Sequence, residues 1–368
     1  MARVLVFVLI PIASLSVALA PPRLTKRPLP SRSITDMAGR VVALWPPANR
    51  VALYPPLLPD YLAIDDGPLH VLMVAPYQLK DVSAGLLGKV YPAAKKIAAA
   101  ATRGNDATPA DPEELLLMKP DAVFLWDWYA DALDRVGLPV VRMTVDSRDG
   151  EKSDRDRWRV IAAVAGKSRR GAALLAQSDR ESAAVARVVA NLDTKKRPRA
   201  AVMSIYGLGD MRAAVGDYII PRALRLAGGV NAAAGLGHGP VDVEALLRLD
   251  PAVIFLNWRW NSFTTPGDLY DTPALQSLAA VRNRRIYIMP QGGSIMDTVI
   301  ELPLLAQWMA ELLHPAAMPR LFRKKLEEGY RETYHYALTD DEIDDILYLR
   351  ENRASTSFAR FARAGEAR

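Results

Sequence analysis

The chain has 368 residues, no cysteine, and 47 Lys and Arg against 41 Asp and Glu, so it carries a formal charge of +6 while half of its residues are apolar. That length supports two ordinary domains with cores of their own, the charged fraction of 24% excludes a disordered chain, and one apolar stretch, at the N-terminus, excludes a polytopic membrane protein. The lack of Cys excludes disulfides, thiolate metal sites and cysteine nucleophiles together. Residues 1–20 hold one charge at Arg3, an apolar run from Val4 to Leu19 interrupted by Pro11, and small residues at Ala18 and Ala20. This is the pattern of a secretory signal peptide cleaved after Ala20. With no Cys at the cut there is no lipid-acceptor thiol, so a soluble periplasmic protein is expected.

Residues 21–33 are rich in Pro and Arg and suit an extended leader. Apolar runs at 50–54, 70–75, 122–126 and 140–145 then alternate with helical stretches, placing a first α/β lobe over 34–153. Runs at 200–206, 253–257 and 285–289 mark a second lobe over 194–349. Between them lies a Pro-free segment, 154–193, divided by Gly166-Lys167. Its second part, 168–191, would be a helix of about 36 Å with Val185, Val188, Val189 and Leu192 on one face. The last 19 residues, 350–368, contain five Arg and two Glu and are expected to be a basic, flexible tail without a nucleic-acid role.

An internal repeat is the strongest signal. Residues 113–125 (EELLLMKPDAVFL) and 244–256 (EALLRLDPAVIFL) are identical at six of 13 positions with an offset of 131. In each, a Glu-led helix ends at a Pro and a buried strand follows. Both strands run into polar-aromatic loops, Trp126-Asp127-Trp128-Tyr129 and Asn257-Trp258-Arg259-Trp260. Ligands of open α/β sheets sit beyond the carboxyl ends of strands, so these two loops are the expected rims of a cleft.

The ordered set of ITDMAGRVVALWPPANRVALYPP, the repeat pair, AVAGKSRRGAALL, RALRLAGGVNAAAG, VRNRRIYIMP and the closing LTDDEIDDIL resembles the class III periplasmic solute-binding proteins, from about Ile34 to Leu347. That family serves ATP-driven importers of ferric siderophores, haem and cobalamin. The resemblance implies an α/β fold of two Rossmann-like lobes with mainly parallel sheets, joined by a single long α-helix. It also implies a shallow cleft that closes little, no catalysis, a monomer, and an inner-membrane ABC permease as partner. Permease docking would use Glu113 and Glu244, one on each lobe; each also lies in a helix first turn, where a carboxylate favours the macrodipole.

The leading ligand is a ferric siderophore or similar metal chelate, with cobalamin or haem as the alternative; an exported enzyme or sensor module on this fold is the reading outside transport. Broad, partly apolar ligands favour aromatic faces, which makes Trp126, Trp128, Tyr129, Trp258 and Trp260 candidates, with Asp127 and Asn257 beside them. Arg259 could pair with carboxylate or catecholate oxygens. Tyr54, Arg103, Gly104, Tyr206, Met211 and Gln291 complete the expected rim. No resident cofactor is expected. His70, His238, His314 and His335 show no metal-ligand spacing, and only His238 lies in a loop that could reach a ligand. Gly207-Leu208-Gly209 lacks the third glycine of a dinucleotide fingerprint, Arg212 standing in its place.

Overall fold

The central strands are short runs of branched and aromatic residues covered on both faces, the pattern of parallel sheets flanked by helices. In the first lobe five strands lie in the order Ala98–Ala99, Val71–Val74, Val51–Leu53, Ala122–Trp126, Val140–Met143, every neighbouring pair parallel. In the second, Pro240–Val241, Asp210–Ala213, Arg199–Gly207, Val253–Leu256 and Ile286–Ile288 follow one another, and Val230–Asn231 pairs beside Arg199–Gly207. Its core is parallel and its Asp210–Ala213 edge antiparallel. The computed structural model describes residues 32–44, 48–83, 85–102, 112–146, 148–192, 197–237, 239–258, 264–292, 296 and 298–363. The signal-peptide segment 1–20 and leader residues 21–31 lie outside them; Arg32 and Ser33 open a small antiparallel hairpin, Arg32–Thr35 with Val41–Leu44.

Two helices carry the chain between the lobes. Gly150–Val164 is capped by Asp149, whose carboxylate accepts from the Lys152 amide. Gly166, at φ +69°, makes the corner, and Ser168–Ala190 follows for 23 residues. The two helices pack closely because position 171 lacks a side chain: a Cβ there would press on the Ala162 methyl, and the Trp158 indole donates to the Gly171 carbonyl at 2.9 Å. Val185 and Val189 are buried, and Val188 and Leu192 pack against the same core. That core runs from Leu58 and Trp158 to Trp308 and Phe361 without a break between the lobes. Two smaller clusters lie under the other faces of the sheets.

The C-terminal segment corrects the sequence reading. Residues 350–363 are not a mobile tail: Leu349–Asn352 is helical and Phe358–Phe361 forms a 3-10 turn. Phe358 and Phe361 are buried, stacked on Tyr287 and Trp308 respectively. Arg360 donates to the Glu311 carboxylate at 3.0 Å and to the carbonyls of Pro315 and Met318. Glu311, fully buried, also accepts the Leu321 and Phe322 amides that open helix Phe322–Tyr334. Asn352 brackets the edge strand, accepting from the Ile288 amide and donating to its carbonyl. The tail looks solvated by composition, but Arg360 is matched across the fold by Glu311, and Arg363 by Asp341 and Asp344. Residues 364–368 lie outside the described set.

Candidate functional site

The duplicated segments fold alike. Helices Pro112–Met118 and Val243–Leu249 each bury one leucine, Leu115 and Leu246. Each is followed by a left-handed residue, Lys119 at φ +47° and Asp250 at φ +37°, before the Pro that leads into a central strand. Glu113 and Glu244 are exposed in the two helices, and Glu244 stands 3.9 Å from Arg248.

Beyond the carboxyl ends of Val51–Leu53, Arg199–Gly207 and Val253–Leu256 lies a cleft of about 620 Å³. Pro56, Pro59 and Asp60 line it from the first lobe, Asp154 and Arg157 from helix Gly150–Val164. Ser204, Tyr206, Arg212, Tyr218, Asn257 and Thr298 line it from the second lobe. An alternating chain of charges lies along this lining. Arg157 stands 2.9 Å from Asp154 and 3.5 Å from Asp60, and Asp154 takes Arg222 of the second lobe at 2.9 Å. Next to it the Gly150 amide donates to Asp217 at 3.1 Å. A Cβ at Gly150 would overlap the Asp217 carbonyl, so only glycine permits this approach. Burial pushes the Asp217 carboxyl up, but hydrogen bonds and attraction from Arg225, Arg222 and Gly150 outweigh it and hold the group below its ordinary value.

Of the residues picked out by sequence, Tyr206 and Asn257 line this cleft. Trp126 and Trp128 form a stack, centroids 5.1 Å apart and 12° from parallel, with Tyr129 edge-on to Trp128 at 6.0 Å. Trp128 is 59% exposed. This trio belongs to the first-lobe rim and does not line the cleft. The expected loop is absent there: Trp126 ends its strand and Asp127–Asp134 is already helix, with Asp127 held by Arg142 at 2.9 Å. Trp258 turns inward, edge-on to Tyr348 at 4.9 Å, its indole donating to the Thr264 carbonyl. Gln291 fixes this arrangement, donating to the Trp258 carbonyl and accepting from the Tyr348 hydroxyl.

Tyr54 and Met211 need correcting as contacts. Tyr54 is 1% exposed within the first-lobe core, where burial pushes its hydroxyl well up, and Met211 is 0% exposed in the second-lobe core. Arg103, Gly104, His238, Arg259 and Trp260 lie outside the described residues. Gly207-Leu208-Gly209 is the turn of the antiparallel hairpin between Arg199–Gly207 and Asp210–Ala213, not a strand-to-helix phosphate loop.

Sequence reasoning passed over Asp60, Asp154, Arg157, Tyr218 and Thr298. Asp154 and Arg157 look like ordinary surface charges of an amphipathic helix, and only their partners on other elements distinguish them. Among the described residues no group of three or more His, Asp or Glu could hold a metal ion, and no helix is long and apolar enough to cross a membrane.

The family model for periplasmic binding proteins matches residues 83–292. No curated protein matches. Among solved structures, a periplasmic solute binding protein from Veillonella parvula superimposes with a TM-score of 0.76 at 24% identity, covering 88% of this chain and 98% of that one. The molybdate periplasmic binding protein MolA of Haemophilus influenzae gives 0.70 at 21%, covering 84% and 99%. A protein of the ABC-type ferric hydroxamate transport system of Saccharomonospora viridis gives 0.57 at 20%, covering 77% and 99%.

Proposed function

Because the chain belongs to the class III periplasmic binding protein family, the solute-binding components of ABC transporters, we propose that its cleft captures a metal chelate of the ferric siderophore type and delivers it to an inner-membrane permease. The size and lining of the cleft carry this reading. At about 620 Å³ the cleft holds roughly twenty waters at about 30 Å³ each, far more than a bare oxyanion fills. Its rim offers phenol, amide and guanidinium groups from the second lobe and the connecting segment, at Tyr206, Tyr218, Asn257, Arg212 and Arg157, groups that suit an oxygen-rich complex. The ferric hydroxamate relative on the same fold is in keeping with that chemistry.

The exposed indole face of Trp128 favours a second reading, a flat macrocycle such as haem or cobalamin seated against the first-lobe rim. Glu113 and Glu244 serve as the docking pair, the protein works as a monomer without turnover, and export removes residues 1–20 without lipidation. The functional lobes are 34–153 and 194–363, joined by 154–193, since residues 350–363 pack into the second.

Titrating tryptophan fluorescence with a ferric hydroxamate, a ferric catecholate, haem, cobalamin and molybdate tests the ligand class. Saturable quenching by a ferric chelate, with the chelate recovered unchanged, is expected. Saturation by molybdate alone would overturn the reading, and saturation by haem or cobalamin alone would replace it with the second. Reversing the charge of Glu113 and Glu244 together should leave titrations unchanged and bring uptake close to background; normal uptake would reject the docking pair.

A further inference from the structure

The charges along the inter-lobe cleft are balanced within the protein itself. Arg157 holds one oxygen of Asp154 at 2.9 Å and Asp60 at 3.5 Å, and Arg222, just behind the lining, takes the other oxygen of Asp154 at 2.9 Å. The side chains of these four residues are between 5% and 18% exposed. Further out on the rim Arg212 pairs with Asp210 through its Nε at 3.1 Å, and both are about half exposed. Three carboxylates thus face three guanidiniums, and among the described lining residues each cation has a carboxylate beside it.

This balance is not readily lent to a charged ligand. An anion that drew Arg157 to itself would leave Asp60 and Asp154 short of their counter-charge in a buried setting, which is costly. An anion that left the pairs intact would give up its hydration and meet carboxylates as often as guanidiniums, with no net attraction in return. Donors that bring no net charge are at hand instead. The phenols of Tyr206 and Tyr218 are each 39% exposed, the Asn257 amide lies between them and the first lobe's side of the lining, and Arg212 holds Asp210 through Nε alone, leaving its two terminal nitrogens to donate.

We propose that the cleft selects metal chelates of zero net charge, those whose donor charges just cancel the charge of ferric iron. The selection rests on the metal-chelate reading above and narrows it. Three hydroxamates, each singly charged, meet the condition, whereas three catecholates, each doubly charged, leave a trianion. The oxygens of a trihydroxamate complex still accept hydrogen bonds, so the phenols, the amide and Arg212 hold it by donation and not by counter-charge.

The test is fluorescence titration of the full-length protein with two ferric chelates of nearly the same shape, a tris-hydroxypyridinonate and a tris-catecholate carried on the same tripodal triamine; the iron centre is neutral in the first and a trianion in the second. Ferrichrome serves as a neutral trihydroxamate. The neutral tripod is expected to bind at least about tenfold more tightly than the trianion. Asp210→Asn removes the charge that balances Arg212 and should shrink that ratio by about threefold or more, while Arg212→Gln, which leaves Asp210 unbalanced, should widen it. Because the ratio is taken within each variant, a general loss of affinity cancels. A trianion that binds as well as the neutral tripod or better, or a ratio that neither substitution moves, would overturn charge selection and leave the metal-chelate reading standing. Failure of both tripods and of ferrichrome to saturate the protein would overturn the two together.

Discussion

The two rims descend from one repeat, yet they solve the end of the strand differently. In the first lobe the chain passes from Ala122–Trp126 straight into helix Asp127–Asp134, and the change from a two-residue to a 3.6-residue period leaves Trp128 outside, supported on one face by Trp126. In the second lobe the residue matching Asp127 is Trp258, and the Thr264 carbonyl, Gln291 and Tyr348 hold it against the lobe. Tyr348 immediately precedes the packed C-terminal segment, so the second rim is braced by a part of the chain with no counterpart in the first. Duplicated strands thus pass on their position but not the direction of the side chains that follow. The first rim leaves Trp128 exposed, while in the second Trp258 is held against its own lobe.

Three substitutions separate the braced rim from the free one. The largest effect is expected at the root of the brace. Arg360→Ala leaves the Glu311 carboxylate buried without its guanidinium, and should lower the unfolding free energy by about 3–5 kcal/mol in urea titrations. A loss below about 1 kcal/mol would return the segment to the status of a loose tail. Trp258→Ala removes a half-buried indole and its hydrogen bond to Thr264; a loss of about 2–3 kcal/mol in stability is expected, below the range for fully buried tryptophans. Chelate affinity should change little. Trp128→Ala should show the opposite: stability within about 0.5 kcal/mol of the parent and, for a macrocycle seated on the first-lobe rim, binding weaker by about 1–3 kcal/mol in fluorescence titrations, as for an aromatic anchor. A chelate held only in the cleft, which Trp128 does not line, should keep its affinity. If Trp258 proves to carry affinity and Trp128 stability, the contrast between the rims is reversed.

What could be read from the sequence follows the range of the interactions involved. The central strands were legible because short apolar runs between helices report burial on both faces. Helix Ser168–Ala190 was legible through its valine periodicity. The edge pieces Ala98–Ala99, Val230–Asn231 and Pro240–Val241 are two residues each, too short to show any period. The C-terminal segment was misread because the burial of Arg360 depends on Glu311, 49 positions away. Trp258 depends in the same way on Tyr348, and Arg157 on Asp60. Tyr206 and Asn257 could be found because they stand at the ends of strands, Tyr206 next to last in Arg199–Gly207 and Asn257 just past Val253–Leu256. The charged lining of the cleft could not, since an Asp and an Arg one helical turn apart look alike on any solvated helix.

The smallest effect is expected at the clasp between the lobes, which belongs to neither rim. Asp217 accepts from the Gly150 amide and pairs with Arg225 at 2.6 Å. Its folded ionisation lies below that of an unfolded aspartate, near 3.9. The stabilisation from the ionised carboxylate is therefore complete above the unfolded value, and it disappears as pH falls through the lower, folded one. Asp217→Asn keeps the shape and removes the charge. It should lower stability at neutral pH by about 1 kcal/mol or less, since the Arg225 partner is well exposed. The deficit should stay constant from pH 8 to about 5 and close as the parent protein is titrated below about pH 4. Denaturant midpoints for both proteins across that range distinguish this from a purely local effect: curves that remain parallel down to pH 3 would mean that the clasp gains nothing from the charge, and that only the fit of Gly150 against the Asp217 backbone holds the lobes at this point.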